Sequence, residues 1–439
     1  MGAAPQPERT ARARLARLAE GLALQRHLVA VRDGVVAALP LVLVGSAFLL
    51  LAQPPIPSLH ARLEPWSETL LAPYRVLGGA IGLYVCFAVA RALARSYALD
   101  EAGAPLVALA SFLVAQTPVR LEGGGLGLSL GALGPGGLFG AIAIGLLSVE
   151  VQRAVSSRGW VLRLPPSVPE AIGRSFEAIV PALASISLVW ALVHLAGVDL
   201  LGVVAGWIAP LVAATDSLVG AWTLVLLDGT LWLLGIHPVA ILGAVKPIWL
   251  SMLTENMAAK AAGLPLPHVA TREFFLWFVW QGGSGGTLAV ALLLSRARSK
   301  GLRGVGRVGL LPSLFNVNEP LLFGLPVVMN PRLAVPFLLA PLASATTTHL
   351  AMTLGLVARP HLEVLWTLPA PVGAYLATGG DARAVLLQMA NLGLSLAIWW
   401  PFLRTWDRRL AARDVSPMPA PGAPEEGSAV RLAQGRARE

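Results

Sequence analysis

The 439-residue chain is poor in charged residues, which make up 13% of it, whereas 56% of its residues are hydrophobic. A soluble globular domain carries about a quarter charged residues, because its surface must be hydrated. A chain with half that share and a mean hydropathy of +0.69 needs a bilayer as the solvent for its exterior. We therefore predict an integral membrane protein.

The chain also lacks the residues of several common types of site. It has one cysteine, Cys86, which excludes an internal disulfide and a cysteine-based metal cluster. There is no HExxH sequence and no metal-ligand spacing, so we expect neither a metal nor a cofactor. The net charge of +9 does not indicate nucleic-acid binding, because the basic residues lie at the ends and between apolar segments. An excess of Lys and Arg on cytoplasmic loops explains it better, and we expect no nucleic-acid partner.

What the chain does contain is a series of apolar segments without Asp, Glu, Lys or Arg. A helix that spans a bilayer needs about 20 apolar residues. Some of these segments are shorter than that, and others are interrupted by Gly or Pro. We predict an all-α polytopic membrane protein with eight to ten spans and one or two re-entrant segments. The segments are 34–61, 76–90, 123–149, 178–198, 200–215, 229–245, 274–295, 333–358, 364–380 and 384–403.

Basic residues at both ends of the chain predict the topology. Residues 1–33 form an arginine-rich leader, part of which has leucines at the spacing of an amphipathic surface helix. A signal peptide is the alternative for 1–52, but no small-x-small cleavage motif follows Leu51. A second basic cluster precedes the Pro-, Ala- and Gly-rich tail 414–439, which we expect to be disordered. Both termini are therefore predicted to be cytoplasmic, with an even number of spans.

Glu319 is the most unusual residue, because it is a carboxylate inside a segment that is otherwise uncharged from 308 to 331. An ionisable group at membrane depth costs a few kcal/mol and persists where it faces a cavity or a partner. Two amides, Asn316 and Asn318, precede it, and Pro320 prevents a regular helical continuation. We interpret the group as a hydroxyl-binding cluster, with a structural network at a helix break as the alternative.

Three further features interrupt apolar segments, and each has a structural alternative. His237 is able to orient a hydroxyl or act as a general base, or else is a packing histidine. The Gly-rich run 282–286 permits a re-entrant turn, or else tight helix packing. Trp366 is suited to cover the C–H face of a sugar, or else belongs to an interfacial belt. Asp228 and Lys246 are isolated charges that either pair or lie near interfaces, and we assign them no role.

A long motif around Glu319 carries a family resemblance. The segment from Phe315 to Pro331, FNVNEPLLFGLPVVMNP, resembles the signature F-N-[IV]-N-E-P-[IL]-[IL]-F-G-x-P of IIC subunits of the lactose/cellobiose type in the bacterial phosphotransferase system (PTS). The resemblance extends over about residues 20–410. Shorter matches are His27–Pro40, Gly137–Gly140, Pro166–Pro169, Gly235–His237, Gly282–Gly285, Trp366–Pro369 and Thr378–Gly380.

The resemblance implies a homodimer with about ten transmembrane helices and re-entrant hairpins in an elevator-like architecture. It implies an N-terminal scaffold and dimerisation part (34–198) and a C-terminal substrate-binding part (199–413). His237, Asn318, Glu319 and Trp366 match substrate-binding positions of the family, and Glu319 matches its proposed catalytic residue.

The implied function is that of a sugar permease in the bacterial inner membrane. It translocates a β-linked disaccharide of the cellobiose, chitobiose or lactose kind, coupled to phosphorylation by a separate IIB protein. The phosphoryl group reaches IIB from IIA and, indirectly, HPr. The chain is thus expected to be the membrane component of a protein-N(pi)-phosphohistidine–sugar phosphotransferase.

Two departures from the family pattern keep other functions open. Pro238 stands where the family usually has glycine, and the last motif reads Trp-Thr-Leu-Pro where W-T-T-P is frequent. The alternatives are a sugar facilitator or membrane sugar sensor without phosphotransfer, and an ion-coupled secondary transporter.

Overall fold

The protein is described here by a computed structural model that places residues 24–54, 56–165, 169–325, 327 and 330–415. The amphipathic helix expected in the leader and the tail from 416 onward lie outside these residues. Helix α1 begins at Arg26, within the stretch that the sequence assigned to the leader, and the last helix continues to Val415. The described structure is helical apart from one short hairpin of strands, so the all-α prediction is confirmed.

The first half of the chain is a helical bundle with one two-stranded antiparallel hairpin. Two short 3₁₀ turns, Glu64–Trp66 and Pro135–Gly137, and one π-helical turn, Ala191–Leu195, connect or extend its helices. The elements are α1 (Arg26–Ala52), α2 (Pro57–Leu63), α3 (Ser67–Leu77), α4 (Ile81–Ser96), α5 (Gly103–Val114), β1 (Val119–Arg120), β2 (Leu126–Gly127), α6 (Leu130–Leu133), α7 (Leu138–Ser157), α8 (Glu170–Glu177) and α9 (Ile179–Trp190).

The second half contains shorter and more broken helices. A 3₁₀ turn at Gly243–Val245 and a π-helical turn at Phe275–Val279 mark two of the breaks. The elements are α10 (Leu200–Asp216), α11 (Leu218–Leu233), α12 (Val239–Leu242), α13 (Lys246–Ala261), α14 (Arg272–Phe274), α15 (Thr287–Leu294), α16 (Lys300–Leu314), α17 (Glu319–Gly324), α18 (Pro331–Thr353), α19 (Ala370–Ala377) and α20 (Ala382–Val415).

Six helical stretches among the described residues are long and apolar enough to cross a membrane. A seventh arises if α10 and α11, which meet at an angle of 79°, are taken as one span. The expected number was about ten. Helix α5 is apolar but shorter, and the segment from α14 to α15 is divided by the Gly-rich run. Length and composition therefore identify the long spans but not the broken ones.

The two halves each pack around their own helices and meet along α1 and between α7 and α10. In the first half α4 packs against α1, α5 and α7. In the second half α18 packs against α11 and α20, and α15 packs against α16 and α20. Helix α13 contacts α1, and Ser46 on α1 is close to Met257 on α13. One buried apolar core extends across this contact and includes Val42 and Trp249.

The bundle has one markedly basic end, which we call the basic end. In the first half Arg26 and Arg153 stack on the ring of Tyr97 there, at 5.2 and 4.7 Å from its centroid. In the second half the Asp407 carboxylate accepts the backbone N–H groups of Arg298 and Ser299. The opposite end carries the loops around His268 and Asp381.

Two hairpins enter the second half from opposite ends. The first hairpin is α16 and α17, and its tip is residues 315–318. The second hairpin is the segment 361–368 with α19, and its tip includes Trp366. The tips meet inside the half, because the Asn316 side-chain amide donates to the backbone carbonyls of Trp366 and Leu368 at 2.8 and 3.1 Å.

Candidate functional site

A cavity of about 230 Å³ lies where the two hairpin tips meet. All four residues that the sequence proposed for binding, His237, Asn318, Glu319 and Trp366, line it. They belong to three separate segments of the chain, so the fold brings together what the sequence could only identify one by one.

His237 reaches the cavity because α11 ends just before it. The chain turns at Gly235, whose φ is +77°, and the Ile236 N–H bonds back to the Leu231 carbonyl, which closes the helix. The imidazole then packs on the Trp232 indole, with ring centroids 4.8 Å apart and an angle of 58° between the planes. His237 is an exposed residue that lines the cavity beyond the end of α11.

The Gly-rich run forms a second wall, and it is a turn that breaks a helix. Gly282, Gly283, Gly285 and Gly286 all have positive φ, a conformation that other residues rarely adopt. A Cβ atom on Gly283 would lie 2.4 Å from the Asn318 side chain. The run therefore combines both sequence interpretations, since the turn also permits close packing against the first hairpin.

The two asparagines of the motif fasten the site together. Asn316 has a φ of +62°, and its side-chain oxygen accepts the Gly282 N–H at 3.2 Å while its amide nitrogen reaches the second hairpin. Asn318 is buried, and its amide nitrogen donates to the Ser284 carbonyl at 3.1 Å. Its oxygen accepts no hydrogen bond from the described residues and remains available to a ligand.

Glu319 differs from its asparagine neighbours, because it takes no part in this network. It is the first residue of α17, Pro320 follows it, and its side chain is half-buried on the cavity wall. The carboxylate accepts no hydrogen bond from the part of the chain that the structure describes. The alternative of a structural network at the helix break thus applies to the asparagines, whereas the carboxylate is free to accept a ligand hydroxyl.

The structure also brings two charges into the cavity to which the sequence assigned no role. Asp228 is only 4% exposed, its Oδ2 atom has no partner among the described residues, and it interacts with Ser284. Lys246 is half-buried on the same wall. The two do not form an ion pair, contrary to one of the sequence alternatives. The sequence shows both as isolated charged residues in apolar segments. Only the fold shows that both line the cavity.

Aromatic side chains cover much of the remaining cavity surface. Trp249 and Trp280 meet edge to face at 6.2 Å, and Trp280 stacks on Phe275 at 5.1 Å. Trp366 is 48% exposed at the tip of the second hairpin, and it lines the cavity. A cavity with aromatic walls and a few convergent polar groups suits a small polyhydroxylated ligand. No three His, Cys, Asp or Glu side chains within the described ranges are placed to hold a metal ion.

A buried charge cluster lies one helical turn from the cavity wall residue Leu276. Arg272 contacts the carboxylates of Glu363 and Glu273 at 2.7 and 3.3 Å, and Glu273 is fully buried. The Glu363 backbone N–H donates to the Ser46 hydroxyl at 2.9 Å, which links the second hairpin to α1 of the other half. The sequence analysis missed this cluster, because its members are 91 and 317 residues apart.

A second cluster lies in the loop at the opposite end. His268 reaches the Asp216 carboxylate through Nδ1 at 3.1 Å and the Glu255 carboxylate through Nε2 at 2.7 Å. Burial of the ring disfavours its charged form, but the two carboxylates outweigh burial and raise the pKa of His268 to about 9. A protonated His268 donates to both partners and fixes the elbow between α10 and α11, where Asp216 lies.

Comparison with known proteins places the chain among membrane sugar transporters. Residues 32–341 match the family described as "Phosphotransferase system, EIIC". The chain is 37% identical to the cellobiose-specific EIIC component of Geobacillus stearothermophilus, over 90% of this chain and 92% of that protein. It is 37% identical to the lichenan permease IIC component of Bacillus subtilis, over 89% and 92% of the two chains.

The fold also matches a solved structure. The IIC component ChbC of an N,N'-diacetylchitobiose-specific phosphotransferase system superimposes with a TM-score of 0.84 at 34% identity. The match covers 92% of this chain and 98% of that one.

Proposed function

The chain belongs to the EIIC family of the phosphotransferase system, as a sugar permease of the lactose/cellobiose type, and we propose that it takes up a β-linked disaccharide for phosphorylation. The observation that carries the proposal is the cavity at the hairpin tips. There Glu319, a carboxylate without a partner among the described residues, faces a space enclosed by tryptophans and amides. This is the arrangement that a neutral sugar with many hydroxyl groups requires.

The residues divide into those that hold the sugar and one that acts on it. Trp366 covers an apolar face of a sugar ring, Asn318 offers its free oxygen to a hydroxyl, and His237 orients another. Glu319 accepts the hydroxyl that is to be phosphorylated and takes its proton as a general base. Asp228 is an additional acceptor in the same cavity, and its Oδ2 atom, which has no partner among the described residues, supports that role.

The phosphoryl step requires a second protein. The sugar oxygen attacks the phosphorus of a phosphocysteine on IIB, the P–S bond breaks, and the sulfur leaves as a thiolate. The proton of the sugar hydroxyl passes to Glu319. The subunit by itself supplies the sugar and the base, so phosphorylation depends on IIB, which IIA and HPr recharge.

The names of the relatives guide the choice of sugar. Cellobiose, lichenan and diacetylchitobiose are the sugars in the names of the similar proteins. A glucoside or chitobioside disaccharide is therefore the ligand class to test first. Pro238, beside His237, changes the backbone next to the cavity and is the position at which sugar preference is expected to differ from these relatives.

We place the basic end in the cytoplasm, together with both termini. The loop after α7, the start of α16 and the last turns of α20 all lie at that end, and all are rich in arginine. The positive-inside tendency of membrane proteins supports this orientation. The first hairpin then enters from the cytoplasm, so Glu319 lies on the side from which IIB approaches.

We propose that one half of the protein stays fixed during transport and that the other half moves. Residues 34–198 form the proposed scaffold and homodimerisation part, and residues 199–413 form the proposed sugar-carrying part of an elevator. The few polar links between them, such as the one from Ser46 to the second hairpin, support a sliding contact.

Reconstitution tests the proposal. Proteoliposomes with this protein, cognate IIB, IIA, HPr, enzyme I and phosphoenolpyruvate should accumulate phosphorylated cellobiose or diacetylchitobiose. Omission of IIB is the control and should abolish the phosphorylated product. Uptake of unmodified sugar with every component present would favour a facilitator, and uptake that collapses with the proton or sodium gradient would favour ion coupling.

A further inference from the structure

A second large groove lies far from the sugar cavity, between the start of α18 and the last third of α20. It has a volume of about 870 Å³ and opens at the basic end of the bundle. Its polar lining is Asn330, Arg332, Thr405 and Arg409, and its apolar lining includes Val335, Phe402 and Trp406. The proposed function makes no use of this groove.

The charge in the groove is positive and uncompensated. Arg332 and Arg409 are both exposed, and neither has an ion-pair partner among the residues that the structure describes. No carboxylate of the described residues lines the groove. The acid nearest in sequence to Arg409 is Asp407, which is occupied by the backbone N–H groups of Arg298 and Ser299 at 2.9 and 2.8 Å.

Another groove of the same molecule, between α1 and α4, provides an internal comparison. It also carries two arginines, Arg91 and Arg95, but both approach Glu101, at 3.8 and 3.6 Å. Asp33 lines that groove as well, so its formal charge is balanced. Of these two grooves, as the described residues line them, the one between α18 and α20 therefore has the net attraction for an anion.

The depth of the two arginines matches the boundary of the bilayer. The uncharged run of α18 begins directly after Arg332, and that of α20 ends at residue 403, so both guanidinium groups lie at or beyond the apolar ends of these helices. Val335 and Phe402 lie about one to two turns deeper on the same helices, at the level of acyl chains. Trp406 lies between the two levels, a position that tryptophan favours at membrane interfaces.

From this arrangement we infer that the groove between α18 and α20 binds an anionic phospholipid. The phosphate lies between Arg332 and Arg409, and an acyl chain packs on Val335 and Phe402. Basic pockets between helices on the cytoplasmic side of membranes are suited to anionic headgroups. Because α18 and α20 belong to the sugar-carrying half, the lipid would bind that half rather than the scaffold.

Native mass spectrometry of the purified full-length protein, delipidated and titrated with phosphatidylglycerol or phosphatidylcholine, tests the inference. The wild type should retain phosphatidylglycerol preferentially. The double variant Arg332→Gln/Arg409→Gln should lose about 30-fold in affinity for it, from about 1 kcal/mol for each arginine near an anionic surface. The double variant Arg332→Lys/Arg409→Lys keeps the charge and should keep most of the binding.

A control variant that loses the same number of positive charges elsewhere distinguishes binding in the groove from general electrostatic attraction of the lipid to the protein. Arg158→Gln/Arg307→Gln removes two exposed arginines from the same end without touching the groove, and its phosphatidylglycerol affinity should equal that of the wild type. An equal loss in both double variants would overturn the inference. So would equal binding of the two lipids, or competition by millimolar inorganic phosphate, which would indicate a site for free phosphate. Loss of IIB binding with unchanged lipid binding would assign the groove to a protein partner instead.

Discussion

Replacement of Asn316 by alanine is the sharpest test of how the sugar cavity is built. The Asn316 side chain joins the Gly-rich turn to the second hairpin through three hydrogen bonds, of 3.2, 2.8 and 3.1 Å. Alanine removes all three and leaves two backbone carbonyls and one N–H without these partners. It also places a less tolerant residue at a φ of +62°.

The magnitude follows from the count of bonds. Each hydrogen bond contributes about 1 kcal/mol net, so the three together contribute about 3 kcal/mol. Because Asn316 is half-buried, water restores part of this in the variant. We therefore expect a loss of about 2 kcal/mol in the free energy that holds the tips together, which lowers sugar affinity about 30-fold when binding must restore the contact.

Isothermal titration of purified protein with cellobiose or diacetylchitobiose measures this loss. Asn316→Asp keeps the acceptor for the Gly282 N–H but loses both donors, so its affinity should lie between those of wild type and Asn316→Ala. Asn330→Ala removes an asparagine cap of α18 outside the cavity and should leave affinity unchanged. If Asn316→Ala binds the sugar as tightly as the wild type, the junction of the tips does not shape the site.

Three further changes test other parts of the structure. Gly283→Ala should abolish sugar binding, because its Cβ would lie 2.4 Å from the Asn318 side chain, whereas Gly304→Ala, with open space in a helix, should bind normally in the same titration. The stabilisation by His268, whose pKa is raised from 6.5 to about 9, is complete below pH 6.5 and is lost as the pH rises through 9. The melting temperature of the wild type should therefore exceed that of His268→Gln below pH 6.5, and the difference should shrink by pH 9.5. Ser46→Ala leaves a buried N–H of the second hairpin unpaired and should lower the free energy of unfolding by about 1–3 kcal/mol in denaturant titrations, and no loss would contradict the link between the halves.

The candidate site was predictable from sequence where a residue is chemically out of place. Glu319 and His237 are polar groups in apolar segments beside helix breakers, and Asn318 and Trp366 follow from the family motifs. All four line one cavity in the structure. Such residues are visible because a polar group at membrane depth is expensive unless it has a use.

The contacts that hold the site together were not predictable in the same way. Asn316 acts on carbonyls 50 and 52 residues further along the chain, and Arg272 pairs with Glu363 91 residues away. Neither the period of a helix nor the composition of a segment encodes such distances. Asp228 and Lys246 were partly predictable. The sequence shows that they are isolated charged residues, but it does not show that they line the same cavity.

The number of membrane-spanning helices was also difficult to predict from the sequence, because broken spans depend on contacts between distant segments. Long spans such as α1 and α20 are apparent from composition, whereas the hairpins and the segment from α14 to α15 are divided by turns. A broken helix inside a membrane is stable only when neighbouring segments satisfy its backbone groups. Here the Gly285 carbonyl accepts the Trp399 indole N–H at 3.0 Å, a contact that only the fold supplies.

The central claim is that Glu319 acts as the base for phosphorylation at the hairpin tips. The direct measurement is the single-turnover rate at which phosphorylated IIB transfers its phosphoryl group to bound disaccharide, for wild type, Glu319→Gln and Glu319→Asp. We expect Glu319→Gln to bind the sugar within about tenfold of wild type and to phosphorylate it at least about 100-fold more slowly, as expected for a lost general base. The rate of Glu319→Asp should be intermediate. A Glu319→Gln protein that phosphorylates the sugar at the wild-type rate would contradict the claim.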